Sequence, residues 1–341
     1  MPAALDLHQR PLRNLRLSVT DRCNLRCGYC MPEERYEWLQ RADLLTFEES
    51  SALVAELIPH GVEKVRLTGG EPLLRRDIDQ LVRSLRAHAG LRELALTTNG
   101  LRLPEHAKEL RGAGLDRLTV SLDTLRADRF KELTRRDELE GALRGLDAAA
   151  SAGFTGTKLN VVVMRGTNDD ELLDMLDFAR ERALEVRFIE YMDVGGATRW
   201  DMSRVVSASE IIERVGAARG GVTAEDLERT AAPADRYRTA DGQRFGVIAS
   251  TTRPFCGSCD RARLTADGQF ITCLYARTGT PIAKILRARG ARAAADQIVD
   301  LWTGRSDRGA EERAGLTTRG ALAQPGELKQ EPHLEMHTRG G

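Results

Sequence analysis

Over its first 200 residues the chain alternates short Leu-, Val- and Ile-bearing runs with longer stretches of helical period six times in succession, and this alternation restricts the fold more than any other feature. It is the pattern of repeated βα units. The predicted strands are residues 15–20, 64–68, 93–97, 117–121, 158–163 and 186–191. Two helix starts are readable between them. Thr46 with Glu49, and Asn168 with Glu171, each offer a side-chain oxygen at the N-cap and a Glu three residues on, which together satisfy free N–H groups of a first helical turn. Behind Thr46, the side chains of Leu53, Val54, Leu57 and Ile58 form one apolar face, as a helix covering a sheet requires.

Polar or glycine-rich residues recur where five of these strands finish: Thr20-Asp21-Arg22, Gly69-Gly70-Glu71, Thr97-Thr98-Asn99-Gly100, Ser121-Leu122-Asp123 and Glu190-Tyr191-Met192-Asp193. One strand ending in a polar turn is ordinary. Five that do so describe the mouth of a βα barrel, whose site is built from C-terminal strand ends. After about Ala197 the alternation fades, and residues 216–241 and 304–339 read as loops or a weakly specified extension. The chain is therefore expected to divide into a barrel over residues 1–196 and a C-terminal region over residues 197–341 packed against it.

Charge narrows the partners. Lys plus Arg equals Asp plus Glu at 51 each, so no overall field draws the protein to nucleic acid or to anionic lipid, and a polyanion must meet a local basic site. No apolar stretch approaches the roughly 18 residues of a membrane span, and the first residues lack a signal-like apolar core, so a cytoplasmic protein without membrane contact is expected. Six cysteines are too few for a disulfide scaffold in a chain of 341 residues.

Those cysteines form two triplets. Cys23, Cys27 and Cys30 follow a C-x3-C-x2-C spacing directly after the first predicted strand. Three thiolates on one tight loop suit a 4Fe-4S cube whose fourth iron stays open to chelate a small molecule. Zinc is the competing reading, but a structural zinc closes four ligands and no histidine is near in sequence. Cys256, Cys259 and Cys273 repeat the arithmetic, with three ligands and His333 as the nearest later histidine, so a second open cube accounts for them better than a zinc ribbon. Beside them Arg261 and Arg263 point to one side of an extended segment, as two planar cationic forks suited to phosphate oxygens. Taken alone, such a pair is usually solvated. Lys158 and Arg187 lie in otherwise apolar strands, where an unpaired charge is costly unless it faces a ligand-filled cavity. Arg16, Lys64 and Arg66 read by themselves as ordinary charges flanking strands.

The cysteine loop with Tyr29 before its last cysteine, joined to Gly69-Gly70-Glu71-Pro72 after the second strand, resembles the radical S-adenosylmethionine superfamily. LRLSVTDRCN near the start, FCGSCDRARLTADGQFITCL late on and the terminal Gly340-Gly341 make the chain similar, within it, to the GTP 3',8-cyclases of molybdenum cofactor biosynthesis. The resemblance implies an α/β fold, a partial (β/α)6 TIM-like barrel whose C-terminal extension carries a second iron-sulfur cluster. It also implies two 4Fe-4S clusters, S-adenosylmethionine and GTP. A 5'-deoxyadenosyl radical would remove the ribose 3' hydrogen, and the resulting carbon radical would close onto C8 of the base. By the same resemblance Tyr29, Gly70, Ser121 and Met192 surround S-adenosylmethionine, and Arg16, Lys64, Arg66, Thr97, Lys158, Arg187, Arg261 and Arg263 surround GTP. Arg261, Arg263, Gly340 and Gly341 take part in catalysis, the two glycines by threading into the pocket. An electron donor, a downstream cyclic pyranopterin monophosphate synthase and a monomeric or homodimeric state complete what the resemblance implies. Residues 216–238 and 315–337 match no motif and receive no role.

Overall fold

A computed structural model describes residues 3–225 and 231–340. The six expected strands are present as β1 (Asn14–Ser18), β2 (Lys64–Thr68), β3 (Glu93–Thr98), β4 (Arg117–Ser121), β5 (Lys158–Val163) and β6 (Glu185–Glu190). They pair in parallel, in sequence order. Between them run α1 (Phe47–Leu57), α2 (Ile78–Arg86), α3 (Leu103–Gly112), α4 (Ala127–Thr134), α5 (Leu139–Ser151) and α6 (Leu172–Glu181). Each strand alternates. Leu15 and Leu17, Val65 and Leu67, Leu118 and Val120, and Val186 and Phe188 are buried in one core with helix residues such as Leu53, Leu81 and Leu110. The intervening residues occupy the opposite face, as a strand's period of two demands.

The capping box at Thr46 is formed: Glu49 N–H donates to Thr46 Oγ1 at 3.1 Å and Thr46 N–H to Glu49 Oε2 at 2.8 Å. The second expected box is not. Glu171 is itself the N-cap residue and has no side-chain cap bond. Its carboxylate instead accepts from Thr124 Oγ1 at 2.6 Å and from Leu125 N–H at 2.7 Å, while Asn168 Nδ2 donates to the carbonyls of Asp123 and Val162. Both residues tie loops at the strand ends together, which captures their hydrogen-bonding capacity before a helix can use it.

Beyond residue 197 the chain is more ordered than its composition indicates. It forms α7 (Ala208–Arg219), β7 (Val222–Ala224), β8 (Asp235–Thr239), β9 (Arg244–Ile248), β10 (Arg261–Leu264), β11 (Gln269–Ile271), β12 (Thr280–Pro281) and α8 (Ile282–Thr303). Residues 216–241 were expected as loops, yet they contain two antiparallel strands, because Tyr237 stacks on Phe245 of β9 at 5.6 Å and gives the charged β8 one buried anchor. Nor is the region merely appended. β9 pairs in parallel with β6 and β10 in parallel with β1, so the sheet runs β12-β11-β10-β1-β2-β3-β4-β5-β6-β9-β8-β7. Among the described residues no helix is long and apolar enough to cross a membrane.

Candidate active site between two cysteine loops

The inner faces of the parallel strands border one cavity of about 810 Å³. Every site residue expected from the sequence lines it except the two terminal glycines, of which Gly341 lies outside the described residues. Strand register sets three cations abreast, because Arg16 of β1 is the direct neighbour of Arg263 on β10 and of Arg66 on β2. Like charges on adjacent strands repel. Burial, then Arg263 and Arg66, hold the Arg16 guanidinium well below its ordinary pKa. Burial and neighbouring guanidiniums likewise lower Arg66 and Arg263 to about 10, Arg187 to about 9 and Lys158 to about 8.

The arginines' bonds go to neutral oxygens. Arg66 donates to Thr97 Oγ1 at 3.2 Å and Thr119 Oγ1 at 3.0 Å, and Arg187 to Asn160 Oδ1 at 3.0 Å. Among the described residues no carboxylate forms an ion pair with Arg16, Arg66, Arg187 or Arg263, whereas Lys158 pairs with Glu185 at 3.4 Å. Buried cations without counter-charges cost free energy that a bound polyanion would recover.

At one end of the cavity, just past the C-terminal end of β1, lie Cys23, Cys27 and Cys30. Their loop rests on the glycine turn after β2: Gly70 N–H donates to Thr20 O at 2.9 Å and Glu71 N–H to Arg22 O at 2.7 Å. A Cβ on Gly70 would fall 2.3 Å from Arg22 O, so only glycine permits this approach. Glu71 is buried and accepts from Leu73 N–H, Thr98 Oγ1 and Asn99 N–H, yet burial still pushes its carboxyl up to about 7. Tyr29 donates to Asp123 Oδ2 at 2.6 Å and Val162 N–H to Asp123 Oδ1 at 2.8 Å, while burial raises Asp123 to about 6. Burial also raises the Cys23 thiol to about 11 and pushes Cys27 and Cys30 up further.

The other triplet occupies the opposite end. Cys256 and Cys259 precede β10, and Cys273 follows β11, which returns antiparallel, so all three lie toward the N-terminal ends of the parallel strands. The backbone N–H groups of Ala310 and Glu311 point at Cys256, and those of Tyr275 and Gly309 at Cys273. Burial opposes ionisation of Cys259, but Arg261 and Arg305 outweigh it and bring the thiol down to about 6.

No cysteine is in a disulfide. Among the described residues no three His, Cys, Asp or Glu side chains group as ligands of a single ion. A cube spreads its ligands over separate irons. Half-buried thiols facing one cavity, with amide donors aimed at several of their sulfurs, fit that demand.

The C-terminal segment enters between the two ends. Arg16 Nη1 donates to Gly340 O at 3.2 Å, and Arg263 Nη1 to Arg339 O at 2.9 Å and to Gly340 O. Gly340 has φ +71°, and a Cβ there would lie 2.1 Å from Thr68 Oγ1.

The description "Radical SAM superfamily" matches residues 17–179, and "Molybdenum Cofactor Synthesis C" matches residues 184–310. The chain is 50% identical over 340 residues to GTP 3',8-cyclase 3 of Mycobacterium bovis, with 97% of this chain and 89% of the relative covered. It is 50% identical to GTP 3',8-cyclase 1 of Mycobacterium tuberculosis, covering 98% and 95%. The chain belongs to the GTP 3',8-cyclase family of radical SAM enzymes. The GTP 3',8-cyclase of Acidothermus cellulolyticus is 48% identical over 89% of this chain and 87% of its own. In fold, this family member matches the crystal structure of Streptococcus suis SuiB bound to S-adenosylmethionine, with a TM-score of 0.62 at 16% identity over 91% of this chain and 70% of that one.

Several residues that position the site in this cyclase-family chain escape sequence reasoning. Arg10, paired with Asp6 at 2.6 Å, donates to Cys256 O at 2.8 Å, and Arg305 donates to Cys259 O at 2.9 Å and to Asp6 Oδ2 at 3.2 Å. This buried trio grips the second loop from opposite ends of the chain. His337, just before the tail, carries no sequence signal either: it packs edge-on against Tyr36 at 5.2 Å and Trp38 at 6.1 Å. Thr119 and Asn160, by contrast, were findable, since both continue the inward-facing alternation of their strands.

Proposed function

We propose that this chain converts GTP to (8S)-3',8-cyclo-7,8-dihydroguanosine 5'-triphosphate, the first step of molybdenum cofactor biosynthesis, with two 4Fe-4S clusters and S-adenosylmethionine. One observation carries the reading: a row of buried and half-buried arginines that form no ion pair with a carboxylate among the described residues runs between two cysteine triplets at opposite ends of one cavity. In this reading the parallel strands are a partial (β/α)6 barrel over residues 1–196, and residues 197–341 supply the second cluster loop and the tail.

Cys23, Cys27 and Cys30 would hold one cluster and Cys256, Cys259 and Cys273 the other. The residues of the first loop would hold the cluster and S-adenosylmethionine, which together would supply the radical chemistry needed at the ribose 3' hydrogen. The chain's own side chains prepare the space around that event. Tyr29, Gly70, Ser121 and Met192 line the half next to the first loop, where the glycine backbone leaves room for the methionine moiety and Asp123 holds Tyr29 in place. Arg66, Lys158, Arg187, Arg261 and Arg263 neutralise the triphosphate, with Lys64 at the strand entrance. Charge-assisted contacts of this kind each contribute about 1.5–3 kcal/mol. The tail, held by Arg16 and Arg263, excludes water from the midpoint. Two electrons come from a separate donor, one to cleave S-adenosylmethionine and one, with a proton, to reduce the base radical left after closure onto C8, and a cyclic pyranopterin monophosphate synthase takes the product onward. A cytoplasmic, reducing setting keeps six unpaired thiols available.

The test is anaerobic incubation of the reconstituted protein with S-adenosylmethionine, a reductant and GTP. The reading requires 5'-deoxyadenosine together with an isomer of GTP. Protein that takes up stoichiometric zinc and no iron, and releases neither product, contradicts it.

A further inference from the structure

The cavity does not end at the arginines. Lys64, Glu93, Arg117, Lys158 and Glu185, the first residues of β2 to β6, also line it, so it runs to the N-terminal rim of the sheet. There it meets solvent, because Arg13 and Arg236 line the same cavity and are exposed. Outside the rim a second pocket of about 500 Å³ shares Glu185 and Arg236 with it and is completed by Glu225, Arg244 and Phe245. Toward the opposite end the passage is crossed by the tail, with Gly340 packed on Ser18 and Thr68 and its carbonyl held by Arg16 and Arg263.

Charge is graded along this route. At the rim Lys158 pairs with Glu185 and Arg117 with Glu93, whereas Arg66 and Arg187, one inward position beyond Lys64 and Glu185, have only neutral acceptors among the described residues. The field therefore draws a polyphosphate inward past a nearly balanced rim. A nucleotide arriving from the tail side would have to displace the tail from both arginines, and one arriving from the N-terminal rim would not.

We propose that the nucleotide enters through the N-terminal mouth and binds with its terminal phosphate toward the outer pocket, so that guanosine triphosphates bearing a bulky substituent on the γ-phosphate are substrates. This rests on the cyclase reading. The probe is GTP carrying an aminohexyl group on the γ-phosphate through a phosphoramidate bond, compared with GTP in the same reconstituted preparation. Turnover with kcat/KM no more than about tenfold below that of GTP is expected. Turnover of GTP without any turnover of the γ-substituted nucleotide overturns the orientation and leaves the cyclase reading standing. Failure of both nucleotides overturns the cyclase reading and this inference with it. A second arm uses Arg236→Glu, which at low salt is expected to slow GTP association by about tenfold or more while S-adenosylmethionine associates as before, since charge at an entrance sets the on-rate. An unchanged GTP association rate in that variant contradicts entry at this mouth.

Discussion

The two cysteine loops are alike in ligand number and unlike in how they are held. The first rests on backbone, through the close approach of Gly69 and Gly70 to residues 20–22, with Arg26 bonding the loop's own carbonyls, and its charged neighbours include the carboxyls of Glu71 and Asp123. The second is gripped by Arg10, Arg305 and Asp6, with Arg261 beside Cys259. Desolvation pushes all three thiols up at the first end and Cys256 and Cys273 up at the second, where Cys259 is the one thiol brought down, to about 6, by Arg261 and Arg305. The first end sets one cation, Arg26, against the carboxyls of Glu71 and Asp123, which leaves room for a cationic partner, and S-adenosylmethionine brings a sulfonium. The cationic end suits an anionic partner, and GTP is one.

The sharpest way to break this division is to remove one ligand at each end. Cys27→Ala should abolish 5'-deoxyadenosine formation altogether, read by chromatography, whereas Cys259→Ala should abolish cyclisation while S-adenosylmethionine still binds. Identical phenotypes would mean that the two ends do not divide the work. Next in size is the boundary between them. In Gly340→Ala the new Cβ would meet Thr68 at a φ of +71°, displacing the tail. A displacement of about 1 Å near a reacting centre costs on the order of 100-fold in rate, so cyclisation should fall by that much with the iron content of both loops intact. Cyclisation at the parental rate would show that the tail does not take part.

The smallest expected effect concerns pH. Burial, with Arg187 next, lowers Lys158 to about 8, so it is cationic below that pH and neutral above it. The kcat/KM for GTP, which reports groups of the free enzyme, should fall as pH rises through about 8. Lys158→Arg should keep its charge and move that fall to higher pH; an unchanged profile would remove Lys158 from the phosphate path. S-adenosylmethionine affinity, set at the other end, should not follow the same curve.

How far the sequence discloses this arrangement depends on whether the signal is local. The six parallel strands are legible because each carries its own alternation, as in Leu15-Arg16-Leu17 and Val65-Arg66-Leu67. The same alternation, read as an inner face, marks Thr119 and Asn160 as well as the arginines. The strand-end motifs disclose the C-terminal mouth. They say nothing of the N-terminal one, whose existence depends on β10 and β11 carrying the second loop back to the start of β1. Asp6, Arg10 and Arg305 are likewise silent, since Arg305 lies hundreds of positions from the other two and shows no pattern with them until the chain brings them together. Asn168 and Glu171 mislead for a related reason: a capping motif competes with tertiary acceptors, and here the loops at Thr124 and Asp123 win.

The central claim is that both ends of one cavity serve a single reaction, and GTP deuterated at the ribose 3' position tests it most directly. With S-adenosylmethionine and reductant, the 5'-deoxyadenosine formed should carry the deuterium if, as proposed, the group generated beside Cys23, Cys27 and Cys30 takes its hydrogen from a nucleotide held between Arg263 and the second loop. Unlabelled 5'-deoxyadenosine formed while the labelled GTP is consumed would contradict the account.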